Sequence, residues 1–189
     1  MGNNPTLLKL YKDQFQPGSA VLVQGASSGL GRELAKTYAG RGCPMVVTGR
    51  NETELKSLIK QIQSDYSNFN VHYICGDAAN EVDCKRIVDF MIKQHGRIDI
   101  CVLAAGVTAH GLFKDMKDPT IMKQILDVNF FGYVNMTKYV LPHLRQSRGQ
   151  FVVVNSISGL VALPLRSAYC ASKFAVKGFF DSLWMEEDG

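Results

Sequence analysis

The chain has 189 residues, 46% of them hydrophobic and 20% charged, with a formal net charge of +4. That length and composition suit one ordinary globular domain and exclude a disordered or fibrous chain. The mild charge, with no basic run interleaved with aromatic residues, excludes a nucleic-acid-binding surface, and no apolar run has the length of a transmembrane segment.

The five cysteines are odd in number and scattered without C-x-x-C spacing, which predicts neither a disulfide framework nor a zinc site. We therefore expect a reducing compartment and a cytoplasmic protein. Residues 1–6 fit the short M-G-x-x-x-[ST] myristoylation pattern, which often arises by chance, so peripheral membrane association is the less favoured alternative.

The N-terminal residues 1–19 are predicted to form a helix or arm outside the main domain, which covers residues 20–189. Leu7, Leu10 and Phe15 follow helical spacing there, and such an apolar stripe would dock on the body of the protein or on a partner subunit.

Short apolar runs and helical periodicity alternate along the main domain. Strands are predicted at residues 20–24, 45–48, 71–75, 98–104 and 151–154. Helical patterns follow at residues 31–39, 51–62, 82–92, 120–144 and 169–187. Asn51 is the predicted N-cap of the second helix, and Pro142 is expected to kink or end the long fourth one. Strands that are apolar throughout and alternate with helices indicate a doubly wound parallel α/β sheet of Rossmann type, in three α/β/α layers.

A glycine-rich turn follows the first predicted strand, with Gly25, Gly29 and Gly31 in the spacing G-x-x-x-G-x-G. Glycines let the backbone approach a pyrophosphate closely, and the helix that follows offers it unpaired N–H groups. The alternative is a plain strand-to-helix turn, which the repeated strand–helix pattern disfavours.

Arg50 stands just after the second predicted strand, where an NAD enzyme would place an acidic residue for the ribose hydroxyls. A guanidinium can clamp a 2′-phosphate with two hydrogen bonds, whereas a carboxylate would repel it. This position predicts NADP(H) as the cofactor. The alternative is a solvated arginine at a helix start.

Tyr169 and Lys173 are four residues apart in the last predicted helix and therefore share one face. A neighbouring cation favours the phenolate and moves a tyrosine closer to a working acid or base near neutral pH. The alternative for this pair alone is a half-buried tyrosine beside a solvated lysine.

Taken in order, these residues resemble the short-chain dehydrogenase/reductase family, in its branch of hydroxysteroid dehydrogenases and lipid-ketone reductases. The matching residues are Gly25, Gly29, Gly31, Asp77, Ala105, Gly106, Asn129, Ser156, Tyr169 and Lys173. Two features depart from the family pattern. Leu103 and Ala104 replace two asparagines, and the chain stops at Gly189, where members usually continue with two more strands and a substrate lid.

The resemblance implies an NADP(H)-dependent oxidoreductase that interconverts a ketone and a secondary alcohol. Tyr169 would be the acid/base and Ser156, thirteen residues upstream, would bind the substrate oxygen, with Ser158 as its rival. Lys173 would lower the pKa of Tyr169 and hold the nicotinamide ribose, and Asn129 would organise a helix distortion and a water leading to Lys173. The implied cofactor-binding residues are Gly25, Ser27, Ser28, Gly29, Leu30, Gly31, Arg50, Asp77, Ala78, Ala105, Gly106, Tyr169 and Lys173.

The segments expected to flank the substrate, residues 107–113 and 160–165, are mostly apolar, which favours a hydrophobic, steroid-like or lipid-like substrate and a carbonyl reductase of lipid metabolism. The family also implies a homodimer or homotetramer. The alternative function is a truncated, non-catalytic module that binds NADP(H) or a partner. A nucleotide-sugar epimerase is disfavoured because such relatives have G-x-x-G-x-x-G.

Overall fold

The computed structural model describes residues 18–67 and 70–187. The strands of this part of the chain are β1 (Val21–Gln24), β2 (Met45–Gly49), β3 (Val71–Cys75), β4 (Ile100–Leu103) and β5 (Gln150–Val153). The α-helices are α1 (Gly29–Ala39), α2 (Glu52–Tyr66), α3 (Glu81–His95), α4 (Thr120–Leu126), α5 (Gly132–Ser147) and α6 (Ser167–Glu187). The predicted strands and helices are present, with ends that differ by up to four residues.

The five strands form one parallel sheet in the order β3-β2-β1-β4-β5. Val23 of the central strand β1 pairs with Val47 on one side and with Val102 on the other. The strand order therefore reverses next to β1, and the carboxyl ends of the strands open a crevice at this point. The predicted Rossmann-type fold is confirmed.

The sheet is buried on both faces. Since neighbouring residues of a strand point to opposite sides, each strand contributes side chains to both apolar layers. Val21 and Val23 pack on one face with Leu55 and Leu58 from α2, together with alanines of α1. Leu22 lies on the opposite face in a cluster that includes side chains of α3 and α5. Two apolar layers on one sheet explain why β1, β2 and β4 are apolar at almost every position.

The prediction of one continuous α-helix over residues 120–144 was wrong. A π-helical turn, Asp127–Phe131, separates α4 from α5, and α5 then continues through Pro142 to Ser147. A π turn inserts one residue into the helical repeat, so it changes which side chains face inward. Periodicity alone did not show it because apolar residues recur on both sides of the turn.

Asn51 caps α2 as predicted, since its Oδ1 accepts a hydrogen bond from the Glu54 backbone N–H at 3.1 Å. The predicted N-terminal helix or arm falls mainly in residues 1–17, outside the described residues. No helix in the described part of the chain is long and apolar enough to cross a membrane.

Candidate active site

A cleft of about 680 Å³ lies at the carboxyl ends of the strands. The turns after all five strands contribute to its wall, and α6 adds two side chains at one end. The predicted site residues on this wall are Gly25, Ser27, Ser28, Gly29, Leu30, Arg50, Asp77, Ala78, Ala105, Gly106, Ser156, Tyr169 and Lys173. Gly31 and Asn129 are buried behind the wall. The fold thus brings to one cleft residues that are up to 148 positions apart in the chain, from Gly25 to Lys173.

The glycine turn after β1 tolerates no side chain at two of its glycines. Gly25 has a φ of +84°, and a Cβ placed on it would overlap the backbone of Ala105. A Cβ on Gly31 would overlap the carbonyl of Gly25, so close packing of α1 on the turn requires glycine there. Gly29, with a φ of +55°, lies on the cleft wall with no heavy atom within 4 Å of a Cβ position. Open space beside this backbone suits a close-approaching phosphate.

The N-terminus of α1 faces the cleft without a cap. Its N-cap residue, Ser28, makes no side-chain capping hydrogen bond, and the first turn contains no acidic residue. The unpaired N–H groups and the partial positive charge of the helix end therefore remain available to an anion. This end of the cleft fits the pyrophosphate of a dinucleotide.

The turn after β2 places a cation beside the glycine turn. Ser27 packs so closely over Gly49 that a Cβ on Gly49 would overlap its hydroxyl. Arg50 is exposed on the cleft wall and makes no ion pair among residues 18–67 and 70–187. Glu54 lines the same wall, but its carboxylate lies 3.5 Å from the Arg32 guanidinium, which offsets its negative charge.

Four buried side-chain atoms of wall residues have no hydrogen-bond partner within residues 18–67 and 70–187, although buried polar atoms are normally paired. They are Gln24 Oε1, Ser27 Oγ, Thr48 Oγ1 and Asn155 Oδ1. Unpaired polar atoms around one cleft indicate a polar ligand, and together with the uncapped helix they fit a dinucleotide.

Asp77, after β3, already uses part of its carboxylate within its own turn. Its Oδ1 accepts a hydrogen bond from the Ala79 backbone N–H at 3.0 Å, and its own N–H donates to Asp83 at 2.9 Å. That N–H and Arg86 hold the pKa of Asp83 below its usual range. The turn is therefore well ordered at the edge of the cleft.

Ser156 lies at the opposite end of the cleft and caps the short 3₁₀ turn Ile157–Gly159. Its Oγ accepts a hydrogen bond from the Ser158 backbone N–H at 3.1 Å, which leaves its own hydroxyl hydrogen free to donate. Ser158 is buried and does not line the cleft. Of the two candidate serines, the structure brings Ser156 to the cleft.

Lys173 is not the solvated lysine of the alternative interpretation, since its residue is 4% exposed. Its Nζ lies 6.0 Å from the ring centroid of Tyr169, one helical turn earlier, and donates a hydrogen bond to the Val154 carbonyl at 3.0 Å. Burial lowers the pKa of Lys173 to about 8, because the charged form loses solvation. A buried cation beside a cleft tyrosine can stabilise the phenolate.

Asn129 lies in the π-helical turn and joins two other elements. Its side-chain amide donates to the Val107 carbonyl at 2.9 Å and to Ser172 Oγ at 3.0 Å, and its Oδ1 accepts from the Val107 N–H at 2.8 Å. The helix distortion implied for Asn129 is present. Its direct contacts are to the loop after β4 and to Ser172, and the water leading to Lys173 stays a prediction.

Two residues that sequence reasoning missed also belong to this site. Tyr133 is buried, and its hydroxyl donates to the same Val154 carbonyl at 3.3 Å. Gln24 donates from Nε2 to the Gly132 carbonyl at 3.3 Å, which connects β1 to α5. Tyr133 could have been found from its position four residues after Asn129, on the same helix face.

Comparison with known proteins agrees with this geometry. The model of the short chain dehydrogenase family matches residues 19–188, which is most of the chain. The chain belongs to the short-chain dehydrogenase/reductase family.

Relatives within the short-chain dehydrogenase/reductase family include 11-beta-hydroxysteroid dehydrogenase 1A of Arabidopsis thaliana, 39% identical over 172 residues, which are 91% of this chain and 49% of that protein. The 11-beta-hydroxysteroid dehydrogenase A of Sesamum indicum is 37% identical over 169 residues, 89% of this chain and 48% of that protein. The chain thus spans about half the length of these curated relatives.

Among solved structures of the family, a short chain dehydrogenase from Escherichia coli CFT073 complexed with NADPH superposes with a TM-score of 0.83. It is 29% identical, over 89% of this chain and 71% of that one.

Proposed function

We propose that the chain is an NADP(H)-dependent oxidoreductase that interconverts a ketone and a secondary alcohol on a hydrophobic, steroid-like or lipid-like substrate. The observation that carries this proposal is the buried Lys173 ammonium beside Tyr169, in the same cleft as Ser156 and the glycine turn. A cation, a phenol and a hydroxyl around one space suit proton transfer to a carbonyl oxygen.

The residues at the other end of the cleft would hold the cofactor. The uncapped start of α1 would bind the pyrophosphate, and Arg50 would bind the 2′-phosphate that distinguishes NADP(H) from NAD(H). Asp77 and Ala78 would lie along the adenosine, and Ala105 and Gly106 along the dinucleotide between the two ends. When bound, NADPH supplies a hydride to the substrate carbonyl carbon.

Tyr169 would donate its phenolic proton to the carbonyl oxygen as that oxygen gains negative charge, and would take a proton from the alcohol in the reverse direction. Ser156 would donate a hydrogen bond to the same oxygen, for which its hydroxyl hydrogen is free. Lys173 would favour the phenolate left on Tyr169. In the alcohol product, the new hydrogen on carbon comes from the hydride and the new hydrogen on oxygen comes from the proton.

The apolar residues around the catalytic end support a hydrophobic substrate. Leu112, Phe113, Leu160 and Val161 are all exposed on the two loops expected to flank it. A backbone hydrogen bond of 3.0 Å from Gly111 to Leu165 joins these loops. An exposed apolar rim at the catalytic end favours a steroid-like or lipid-like ketone over a sugar. The names of the hydroxysteroid dehydrogenase relatives point to the same class.

The predicted homodimer or homotetramer and the cytoplasmic location are part of this proposal. Phe131, just before α5, and Phe174, in α6, are apolar and exposed, so an interface between copies of this chain would cover them. Sedimentation equilibrium of the purified chain measures the assembly, and a monomer at all concentrations would contradict it.

The test follows NADPH absorbance while the chain is mixed with a panel of steroid, long-chain and small polar ketones. We expect turnover with apolar ketones, none with Tyr169→Phe, and wild-type NADPH binding in that variant. Tyr139→Phe, whose hydroxyl bonds Glu81 on the surface, is the matched control and should retain activity.

Turnover by Tyr169→Phe at the wild-type rate would contradict the mechanism. NADPH binding without turnover of any ketone would favour the alternative function, a non-catalytic binding module. Absence of NADPH binding would contradict the oxidoreductase and would restrict the alternative to a module that binds a partner.

A further inference from the structure

Two side chains from different helices donate hydrogen bonds to one carbonyl at the catalytic end. The Val154 carbonyl accepts from Lys173 Nζ of α6 at 3.0 Å and from the Tyr133 hydroxyl of α5 at 3.3 Å. A carbonyl oxygen has two lone pairs and can accept both bonds. Val154 directly follows β5 and lines the cleft, so a bound cofactor would cover this residue.

Tyr133 is built into this position. It follows the π-helical turn, its residue is 1% exposed, and its ring centroid lies 5.4 Å from Lys173 Nζ, within the range of a cation–π contact. Burial, with a smaller contribution from Tyr169, raises the pKa of Tyr133 above its usual range, so its hydroxyl stays protonated and remains a donor.

The two donors differ in what the proposed function requires of them. The Lys173 ammonium has three N–H donors and would share them between the Val154 carbonyl and the hydroxyls of the nicotinamide ribose, whereas Tyr133 is held by its packed ring. Since one carbonyl accepts both bonds, loss of the Tyr133 bond would leave the carbonyl, and the ammonium that it holds, less firmly positioned.

We propose that Tyr133 is a positioning residue that fixes the Val154 carbonyl and thereby holds the Lys173 ammonium in place for the ribose of bound NADP(H). The inference rests on the proposed function, since it concerns cofactor binding at the same site. Tyr133 acts through Val154 and Lys173 and makes no contact with the reacting atoms.

The first test compares the Kd of NADPH for Tyr133→Phe and wild type, measured by quenching of protein fluorescence. The variant retains the ring and loses only the hydroxyl, so the Val154 carbonyl loses the Tyr133 bond and holds the Lys173 ammonium less firmly. We expect binding to be about fivefold weaker, the size of one ordinary hydrogen bond. Tyr139→Phe, the same change on the outer face of the same helix, should bind NADPH as wild type does.

The second test repeats the comparison in a Lys173→Met background. The ammonium is then absent, so Tyr133 has no Lys173 to position through the Val154 carbonyl. We expect Tyr133→Phe to leave the Kd of Lys173→Met unchanged while lowering its melting temperature. A merely structural effect of Tyr133 would weaken binding by the same factor in both backgrounds.

Equal factors in the two backgrounds, or an unchanged Kd for Tyr133→Phe in the Lys173 background, would overturn the inference. The kcat at saturating NADPH should stay within about twofold of wild type, because the effect acts on binding. Wild-type chain that binds no NADPH would instead show that the proposed function has failed.

Discussion

The two ends of the cleft are built in different ways. The phosphate end consists mainly of backbone groups from one short segment, the glycine turn and the first turn of α1, with the Arg50 side chain beside them. The catalytic end consists of side chains from three separate places, the loop after β5, the π-helical turn and α6. The first end is specified locally, whereas the second exists only once the sheet and the helices have packed.

The N-termini of the helices that follow β1, β2 and β3 show the same contrast. Asn51 and Asn80 cap α2 and α3 with side-chain hydrogen bonds, and both helices have acidic residues in the first turn. Ser28 at the start of α1 makes no such bond, and its first turn has no acidic residue. Since capping stabilises a helix by about 1 kcal/mol, an uncapped end that faces a cleft indicates a ligand that takes the place of the cap.

The largest effect should come from Ser156→Ala at the catalytic end. Loss of the donor to the substrate oxygen should lower kcat about 100-fold to 1000-fold and leave the Kd of NADPH unchanged, because the phosphate end is intact. Steady-state kinetics with saturating NADPH measure this. Ser158→Ala is the control, since Ser158 is buried off the cleft, and it should retain kcat. Equal losses of kcat in the two variants would break the distinction between the serines.

Arg50→Ala tests the phosphate end. The ratio of KM for NADH to KM for NADPH should fall about 10-fold to 100-fold, because the 2′-phosphate loses a charge-assisted pair of hydrogen bonds, while kcat with saturating NADPH is retained. Arg50→Lys retains the charge without the planar fork and should give an intermediate ratio. A ratio that does not change in Arg50→Ala would remove Arg50 from the NADP(H) assignment.

The pH dependence of the free energy of unfolding tests the burial of charge at the catalytic end. Among the described residues, Lys173 is the one charged side chain that is buried. Burial lowers its pKa from 10.5 to about 8, so between these pH values the unfolded chain binds more protons and the free energy of unfolding rises with pH. Lys173→Met lacks this rise.

The free energy of unfolding of wild type should therefore rise by about 2 kcal/mol relative to that of Lys173→Met between pH 7 and pH 10. Urea unfolding at several pH values measures it. Lys177→Met, one turn later and exposed, should follow wild type across the same range. A pH-independent difference between Lys173→Met and wild type would contradict the burial of the charge.

Gly29→Ala should give the smallest effect, at the phosphate end. Its Cβ enters the open space of the cleft, so NADPH should bind about tenfold more weakly with kcat unchanged. Gly96→Ala is the matched control because Gly96 also has a positive φ, +73°, with open space around it, but it ends α3 away from the cleft. Both variants should lose about 1 kcal/mol of stability from backbone strain, and only Gly29→Ala should change the Kd.

The errors in the sequence predictions follow the same division. Asn51 as a cap and the five strands were predicted within a few residues, since caps and apolar runs are local signals. Periodicity did not predict the π-helical turn, and only the family resemblance implied a distortion at Asn129, because the turn depends on hydrogen bonds to Val107 and Ser172, which are 22 and 43 residues away. Tyr133 was missed because an aromatic residue on a helix usually packs in the core without a further role.

By itself the sequence determined the doubly wound sheet, the glycine turn and the order of the candidate residues, because strand runs, helical spacing and turn glycines act over short stretches of chain. Only the tertiary structure decided that Lys173 is buried, that Ser156 lines the cleft and Ser158 does not, and that Tyr133 and Lys173 share one carbonyl. These features depend on how residues distant in the chain pack against one another and exclude water. The spacing of residues in a short stretch of sequence does not reveal burial or hydrogen bonds between helices.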